Sequence, residues 1–122
     1  MILLAPVSMI CVDHYGKIIL ANHKAEVLLG VSADQALGMS ISEFVPEQHR
    51  KHHDQLLKKY FENASSKLMR NGMDLELIAQ NGKKVPVEIS LSVLPGVQHS
   101  QVLATIIDIS QRKEAERMMQ ES

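Results

Sequence analysis

One stretch of the sequence, Leu75–Val93, constrains the fold more than any other. It contains two runs in which apolar and polar residues alternate, and Asn81 and Gly82 lie between them. Such alternation predicts strands with one apolar face, and an Asn-Gly pair between two runs predicts a hairpin with a tight turn. The apolar positions are Met73, Leu75, Leu77 and Ala79 before the turn and Val85, Val87, Ile89, Leu91 and Val93 after it. Whatever covers this apolar face decides what the protein does.

Length and composition narrow the class of protein. The chain has 122 residues, of which 45% are apolar and 22% charged, and this composition is typical of one ordinary globular domain. A net charge of −1 and an aromatic content of 3% argue against a nucleic-acid partner, which would require a basic surface or stacking platforms.

The single cysteine and the start of the chain bear on localisation. Cys11 has no second cysteine to pair with, which is consistent with a reducing compartment. The apolar segment Met1–Val12 is interrupted by Pro6, is too short to span a bilayer and lacks the basic region of a signal peptide. We therefore expect a cytoplasmic domain with no direct membrane contact, which a longer parent protein could still combine with membrane segments.

Capping and turn residues divide the rest of the chain into short elements. The predicted elements are strands over Val7–Val12 and Lys17–Ala21, brief helices capped by Asn22, Ser32 and Ser40, a long helix from about Pro46 to Asn63, the hairpin, a central strand over Gln101–Ile107 buried on both faces, and a charged helix from Asp108. This order predicts an α+β fold with helices on one face of an antiparallel sheet.

Five motifs occur in the chain in a consistent order. They are Asp13-x-x-Gly16-Lys17-Ile18-x-x-Ala21-Asn22, Ala25-Glu26-x-Leu28-Leu29-Gly30, Ala36-Leu37-Gly38, Asn81-Gly82-x-x-Val85-Pro86-Val87-Glu88-Ile89-Ser90 and Asp108-Ile109-Ser110-x-Arg112-Lys113-x-Ala115-Glu116. Together they resemble the PAS sensor-domain family over nearly the whole chain. The resemblance implies a five-stranded antiparallel sheet whose helices, on one face, enclose a pocket for a small molecule or cofactor.

The resemblance also implies a domain organisation and a mode of signalling. Residues 1–109 correspond to the PAS sensor domain, and residues 110–122 to the start of a C-terminal signalling helix. That helix would lead to an output module in the same polypeptide, such as the histidine kinase of a two-component system or a GGDEF-type diguanylate cyclase. The domain itself is expected to be a homodimer without enzymatic activity.

Two groups of candidate functional residues follow. The expected ligand pocket lies between the long helix and the hairpin, and its residues are His53, Leu57, Tyr60, Met73, Leu75, Leu77, Val87, Ile89 and Leu91. Asp108 and Ile109 are expected to couple the last strand to the terminal helix, with Asp108 acting as a cap and hinge.

A heme-binding function is a second interpretation. Heme-binding PAS domains carry a proximal histidine in a segment similar to Pro46-Glu47-x-x-Arg50-x-x-His53-Asp54, which makes His53 a candidate heme-iron ligand. Oxygen-sensing relatives place an arginine where this chain has Met73, and this difference favours an apolar occupant over bound oxygen. A ligand-free module for dimerisation and protein interaction is the third interpretation.

Other site chemistry has weaker support in the sequence. Cys11 lies outside any Asn-Cys-Arg-Phe-type motif, so FMN photochemistry of the kind found in light-sensing relatives is not expected. His49 and His53 have the i, i+4 spacing that can chelate a divalent ion, but no third ligand is evident, and no bare metal site is expected. The sequence shows no phosphate-binding loop, nucleophile elbow or metalloprotease motif.

Overall fold

The computed structural model describes residues 7–62, 73–94, 96 and 99–121. The elements in chain order are β1 (Ser8–Val12), β2 (Ile18–Ala21), α1 (His23–Leu29), α2 (Ala33–Ala36), two 3-10 turns (Ile41–Phe44 and Glu47–His49), α3 (Arg50–Glu62), β3 (Met73–Ile78), β4 (Lys84–Leu94), β5 (Gln101–Asp108) and α4 (Ser110–Glu121). The α+β architecture that the sequence predicts is confirmed.

The strands form one five-stranded sheet in the order β2-β1-β5-β4-β3, and all neighbouring strands are antiparallel. The central position predicted for β5 is confirmed, because β1 and β4 flank it. The prediction that β5 is buried on both faces is wrong. Val102 and Ile106 are buried on the face that packs into the core, whereas Ile107 on the opposite face is 44% exposed.

The hairpin has the predicted alternation but a longer connection than a two-residue turn. Leu75 lies opposite Val87 and Leu77 opposite Val85, so the odd-numbered apolar residues share one face. Gly82 donates its N–H to the carbonyl of Ala79 at 2.9 Å and has a φ of 87°, which only glycine adopts readily. This pattern is a four-residue turn whose last residue is a glycine in the left-handed region, a common alternative to the tight two-residue hairpin.

Caps define the short helices as the sequence predicts. Asn22 accepts the Ala25 N–H at the start of α1, and Ser32 and Gln35 form a reciprocal capping box at α2. Asn22 is completely buried, and its side chain also accepts the Met9 N–H at 3.0 Å and donates to the Val7 carbonyl at 2.7 Å. One side chain therefore both caps α1 and attaches it to β1.

The segment before the long helix differs from the prediction. The residues after Ser40 form a 3-10 turn, and Pro46 is extended, with a ψ of 138°, rather than helical. The chain then makes a second 3-10 turn over Glu47–His49, and the α-helix begins at Arg50. The i→i+3 bonds of these turns wind the chain more tightly than an α-helix would. Asn63, the predicted end of the helix, lies outside the described residues.

The core lies between the sheet and α1. Ala25 and Leu29 of α1 are fully buried and belong to the same apolar cluster as Ile10 and Val12 of β1. At the far end of α1, the carbonyl of Leu29 accepts the N–H of Gln80 at 2.8 Å. The helix therefore spans the sheet from β1 to the hairpin loop and covers the hairpin at its loop end.

Candidate functional site

The inner face of the sheet carries an apolar wall that protein atoms cover only in part. We define this wall as Leu75, Ile89, Leu91 and Ala104, which are half-buried and pack against the edge of the core. Leu91 lies opposite Ala104, and Ile89 is the next inward-facing residue along β4, so the wall is continuous across three strands. Residues of the same face nearer α1 and the hairpin loop are almost fully buried.

The Ser42 turn, which we define as the 3-10 turn Ile41–Phe44, lies between β3 and α3. It is a principal neighbour of both elements, and its Phe44 side chain is only 2% exposed within the core. Ser40 caps the turn by accepting the Ser42 N–H. On its far side the guanidinium of Arg50 donates to the carbonyl of Val45 at 3.0 Å, which attaches the start of α3.

His53 points towards this turn. Its Nδ1 lies 3.4 Å from the Ser42 hydroxyl, and the same hydroxyl donates a hydrogen bond to the carboxylate of Asp54. Burial lowers the pKa of His53, the Asp54 charge opposes that shift and the neighbouring His52 adds to it. The imidazole is therefore predominantly neutral at pH 7.

Leu57 lies one turn further along α3 and packs on the loop between β1 and β2. A Cβ added to Gly16 would come within 2.7 Å of the Leu57 Cδ2 atom and 3.8 Å of the Ile41 side chain. The absence of a side chain at Gly16 therefore allows α3 to approach the sheet at this point. His53 and Leu57, two predicted pocket residues, are both half-buried on α3.

The remaining predicted pocket residues fall into two groups. Leu77 and Val87 lie on the predicted face but are buried in the core, with exposures of 5% and 0%. The side chains of Tyr60 and Met73 lie outside the described structure. The direct contact between the long helix and the hairpin stays a prediction, because the principal described neighbours of α3 are the two 3-10 turns.

The exit from the sheet into α4 is built around Asp108 and Ile109. The carboxylate of Asp108 accepts the backbone N–H of Ser110 at 2.8 Å and its hydroxyl at 2.6 Å. Ile109 is 3% exposed and donates its N–H to the carbonyl of Pro86 at 3.0 Å. The first turn of α4 is thus attached to β4 through the backbone as well as being continuous with β5.

Two contacts between residues distant in sequence were not predicted. Arg112 of α4 lies 3.6 Å from the carboxylate of Glu88 on the outer face of β4. Ser42 contacts His53 although eleven residues separate them in sequence. Glu88 resembles any polar residue of a solvated strand face, and Ser42 resembles an ordinary turn serine, so neither carries a local sequence signal.

Three other features of the described residues do not indicate a metal, thiol or membrane-spanning function. In the described ranges no three histidine, cysteine or acidic side chains come together as a metal site. Cys11 is free and buried, and burial raises the pKa of its thiol, which disfavours the thiolate form. Among the described helices, none has both the length and the apolar character needed to cross a bilayer.

The fold and the partly covered wall define a class of α+β domain, and comparison with known proteins identifies the family. A family model described as PAS fold matches residues 1–109. The chain belongs to the PAS family, as the sequence motifs indicate.

Two curated relatives and one solved structure show the range of similar proteins. Sporulation kinase A of Bacillus subtilis (strain 168) is 31% identical over 121 residues, covering 94% of this chain and 18% of the relative. Sensor protein FixL of Bradyrhizobium diazoefficiens is 23% identical over 116 residues, covering 95% of this chain and 23% of the relative. The PAS domain of the Cronobacter turicensis quorum-sensing receptor RpfR, solved in complex with C12:0, has a TM-score of 0.69 at 16% identity, covering 87% of this chain and 96% of that one.

The chain is matched almost throughout, but it covers only part of each curated relative. It spans about a fifth of the length of the two curated relatives, 18% and 23%. Similarity to the receptor domain, at 16% identity, shows the fold alone. The chain is a PAS module of the signalling type, homologous to the corresponding parts of a sporulation kinase and a sensor protein.

Proposed function

We propose that this PAS domain senses a small, largely apolar molecule that lies on the apolar wall and under α3. The observation that carries the proposal is the half-buried state of Leu75, Ile89, Leu91 and Ala104 on the inner face of the sheet. Covering that surface with a ligand removes apolar area from water, which is worth about 25 cal/mol per Å². The C12:0 complex of the receptor PAS domain is consistent with such an occupant in this fold.

The signal would leave through β5. The wall residue Ala104 is in β5, which leads directly to the Asp108 cap and the buried Ile109. A ligand that binds two arrangements of the sheet with different affinity would shift α4 and the output module beyond it. We propose a histidine kinase or a GGDEF-type cyclase as that module, in the same cytoplasmic polypeptide, with no catalytic role for the PAS domain itself.

The ligand proposal is tested by filling the wall. Ala104→Leu adds bulk at the centre of the wall, and Ser92→Leu adds the same bulk on the outer face of β4 as a control. We expect the wild-type chain and S92L to retain an apolar ligand such as C12:0 in native mass spectrometry, and A104L to lose it. Equal binding by A104L and S92L would overturn the proposed site.

The coupling proposal is tested at the cap. Asp108→Ala removes the acceptor of both Ser110 hydrogen bonds and should uncouple ligand input from output activity in the full-length protein. Asp34→Ala, on the exposed surface of α2, is the control. Unchanged switching in D108A would contradict the role that we assign to Asp108.

A heme-binding sensor is the second candidate, and the surroundings of His53 favour it. The imidazole is neutral and half-buried, and its Nδ1 contacts Ser42, while a heme-ligating histidine characteristically uses one ring nitrogen and donates the other. His53 would be the axial ligand of the iron, and heme would supply gas or redox chemistry. Heme reconstitution should then produce a Soret band that His53→Ala abolishes and His52→Ala, at the exposed neighbouring position, retains.

Homodimerisation is proposed from α4. Met118 and Met119 are 59% and 76% exposed near the end of this helix, and with Ala115 they form an apolar stripe suited to a coiled coil. A dimer in solution with no occupant in native mass spectrometry and no Soret band would support the third candidate, a ligand-free interaction module. Replacing Met118 and Met119 with glutamine should then dissociate the dimer.

A further inference from the structure

Two loops meet at one end of the sheet. Val12, the last residue of β1, lies opposite Val102, the second residue of β5. The β1–β2 loop therefore leaves the sheet beside the point at which the β4–β5 loop enters it. His14 belongs to the first loop and His99 to the second, so the topology brings together two histidines that are far apart in sequence.

The imidazole rings of His14 and His99 stack face to face. Their centroids are 3.8 Å apart, and their planes are inclined by only 15°. The His14 ring also contacts the ring of Tyr15, with the centroids 3.9 Å apart and the planes tilted by 40°. His14 is half-buried and His99 is exposed, so both imidazoles can exchange protons with water.

Each loop has its own local constraint. In the β1–β2 loop, the carboxylate of Asp13 accepts the backbone N–H groups of Tyr15 and Lys17, each at 2.9 Å. In the β4–β5 loop, a Cβ added to Gly96 would overlap the carbonyl oxygen of His99, so this loop closes tightly at a glycine. A change in the stack between the two histidines therefore alters how the two loops meet.

Protonation affects such a stack in two steps. Histidine is the side chain whose charge changes between pH 5 and 8. A single imidazolium still attracts the face of a neutral aromatic ring. When both rings are protonated, two positive charges lie 3.8 Å apart. Even in water, their repulsion shifts an equilibrium between contact and separation about five- to tenfold towards separation.

The elements next to the pair contribute titratable groups of both signs. These groups are Cys11 from β1, Asp13, Tyr15 and Lys17 from the β1–β2 loop, Glu43 from the Ser42 turn, and His53, Asp54 and Lys58 from α3, which reaches the loop through Leu57. The charges nearest in sequence, Asp13 and Lys17, act against one another on a protonated His14. Within the pair itself, the interaction that changes sign with acid is the one between the two imidazoles.

We propose that His14 and His99 form a pH-sensitive latch between the β1–β2 and β4–β5 loops, closed while at most one imidazole carries a proton and opened when both do. The latch is independent of any ligand and goes beyond the proposed function. The β4–β5 loop follows Leu94, which pairs with Gln101 at the end of the ladder between two strands of the wall. Opening would free this end of the ladder, so acid would act on the strand that continues into α4.

The first experiment observes the stack directly in the 122-residue chain. Nuclear Overhauser contacts between the ring protons of His14 and His99 should be present at pH 7.5 and lost at pH 5. His14→Phe retains an aromatic ring that cannot be protonated, so its contact with His99 should persist at pH 5. Absence of the contact at pH 7.5, its persistence in the wild-type chain at pH 5, or its equal loss in H14F would each overturn the latch.

The second experiment measures the interaction energy with a double-mutant cycle. His14→Ala, His99→Ala and the double variant are unfolded in urea at pH 7.5 and at pH 5, and the cycle cancels the titration of His53 and other groups. The coupling should favour the folded state about two- to tenfold at pH 7.5 and vanish at pH 5. Equal coupling at the two pH values, or none at pH 7.5, would contradict the proposal.

The third experiment asks whether the loop opens with the stack. Hydrogen exchange over residues 99–102 is compared between the wild-type chain and H14F at the same pH, which removes the intrinsic effect of pH on exchange. The two chains should exchange equally at pH 7.5, and the wild-type chain about five- to tenfold faster at pH 5. Equal exchange at pH 5 would mean that the rings separate while the loops stay together, which overturns the latch. No ligand is added, so these outcomes leave the proposed ligand function to its own test.

Discussion

The two ends of the inner sheet face are made of the same kinds of residue, yet only one end is sealed. Near the hairpin loop, Leu77, Val85 and Val87 are at most 5% exposed, whereas Leu75, Ile89 and Leu91 along the same strands are half-buried. Residue type cannot explain this difference, because both ends carry leucine, isoleucine or valine. The sealed end lies where α1 meets the hairpin loop, and the open end lies beside the Ser42 turn, which also contacts α3.

This contrast separates what holds the domain together from what is available for binding. The sealed end supplies the hydrophobic stabilisation of the fold, since burial of a leucine side chain is worth about 2 kcal/mol. The open end retains apolar surface that stays in contact with water until something covers it. Residues at the open end can therefore be substituted without removing the buried side chains that stabilise the fold.

The largest expected effect comes from truncating each end within one strand. Leu77→Ala should lower the free energy of unfolding by about 3 kcal/mol, because it leaves a cavity in a sealed region. Leu75→Ala, two residues earlier and half-buried, should cost about 1 kcal/mol. Urea denaturation monitored by circular dichroism measures both. Equal losses would show that the two ends are equally covered.

The next effect tests how α3 is attached to the loop between β1 and β2. Gly16→Ala should destabilise the domain by about 2 kcal/mol, because it combines a φ of 78° with a contact to Leu57 at 2.7 Å. Gly38→Ala is the matched control, because its φ is 87° but no atom lies within 4 Å of the added Cβ. It should cost about 1 kcal/mol from backbone strain alone. Identical unfolding midpoints for the two variants would argue against close packing of Leu57 on Gly16.

A smaller effect depends on pH and is located at His53. The pKa of His53 is lower in the folded state than its ordinary value of 6.5, so below that pH the unfolded chain binds a proton more readily. This contribution to stability is present at pH 7.5, declines as the pH falls through 6.5, and stops changing below the lowered pKa of the folded state.

Thermal unfolding across pH 4.5 to 8 checks this expectation. His53→Gln should show a smaller loss of stability between pH 7.5 and 5 than the wild-type chain. His52→Gln, at the exposed neighbouring position, should follow the wild-type profile. A His53→Gln profile parallel to that of the wild type would show that the imidazole is not held neutral.

The smallest effect concerns the outer face and α4. Glu88→Gln should cost only about 0.5 kcal/mol, because Glu88 and Arg112 are 26% and 47% exposed and such pairs are weak. Hydrogen exchange in the first turn of α4 should nevertheless accelerate, and 0.5 M salt should reduce the difference from wild type. Glu76→Gln, on the exposed neighbouring strand, is the control. Exchange that is unchanged in E88Q would mean that the Glu88–Arg112 pair does not help to hold the first turn of α4.

Much of the fold could be predicted because its signals are local. The alternation in the hairpin and the Asn22 and Ser32 caps depend on residues close in sequence. The weak alternation of β5 predicted its central position correctly, although only one of its faces is buried. The start of α3 was predicted four residues too early, at Pro46 instead of Arg50, because proline at a first helical turn and proline before a 3-10 turn have similar sequence surroundings.

The candidate site was less predictable because its contacts are between distant residues. His53 was singled out by motif, but its hydrogen bond to Ser42 depends on the path of a 3-10 turn that the sequence does not specify. Glu88 and Arg112 meet only because α4 folds back along β4. Leu77 and Val87 lie on the expected face and are 5% and 0% exposed, since alternation shows which face a residue is on and not what covers it, and their place in a pocket stays a prediction.

The sequence by itself determined which residues share a face, where helices begin with caps, and which family the chain resembles, because these features depend on neighbouring residues and their spacing. Only the tertiary structure decided how much of the apolar face is covered, and that His53 lies against the Ser42 hydroxyl. Both outcomes depend on where α1, the Ser42 turn and α3 lie above the sheet, and therefore on contacts made by residues far apart in the chain.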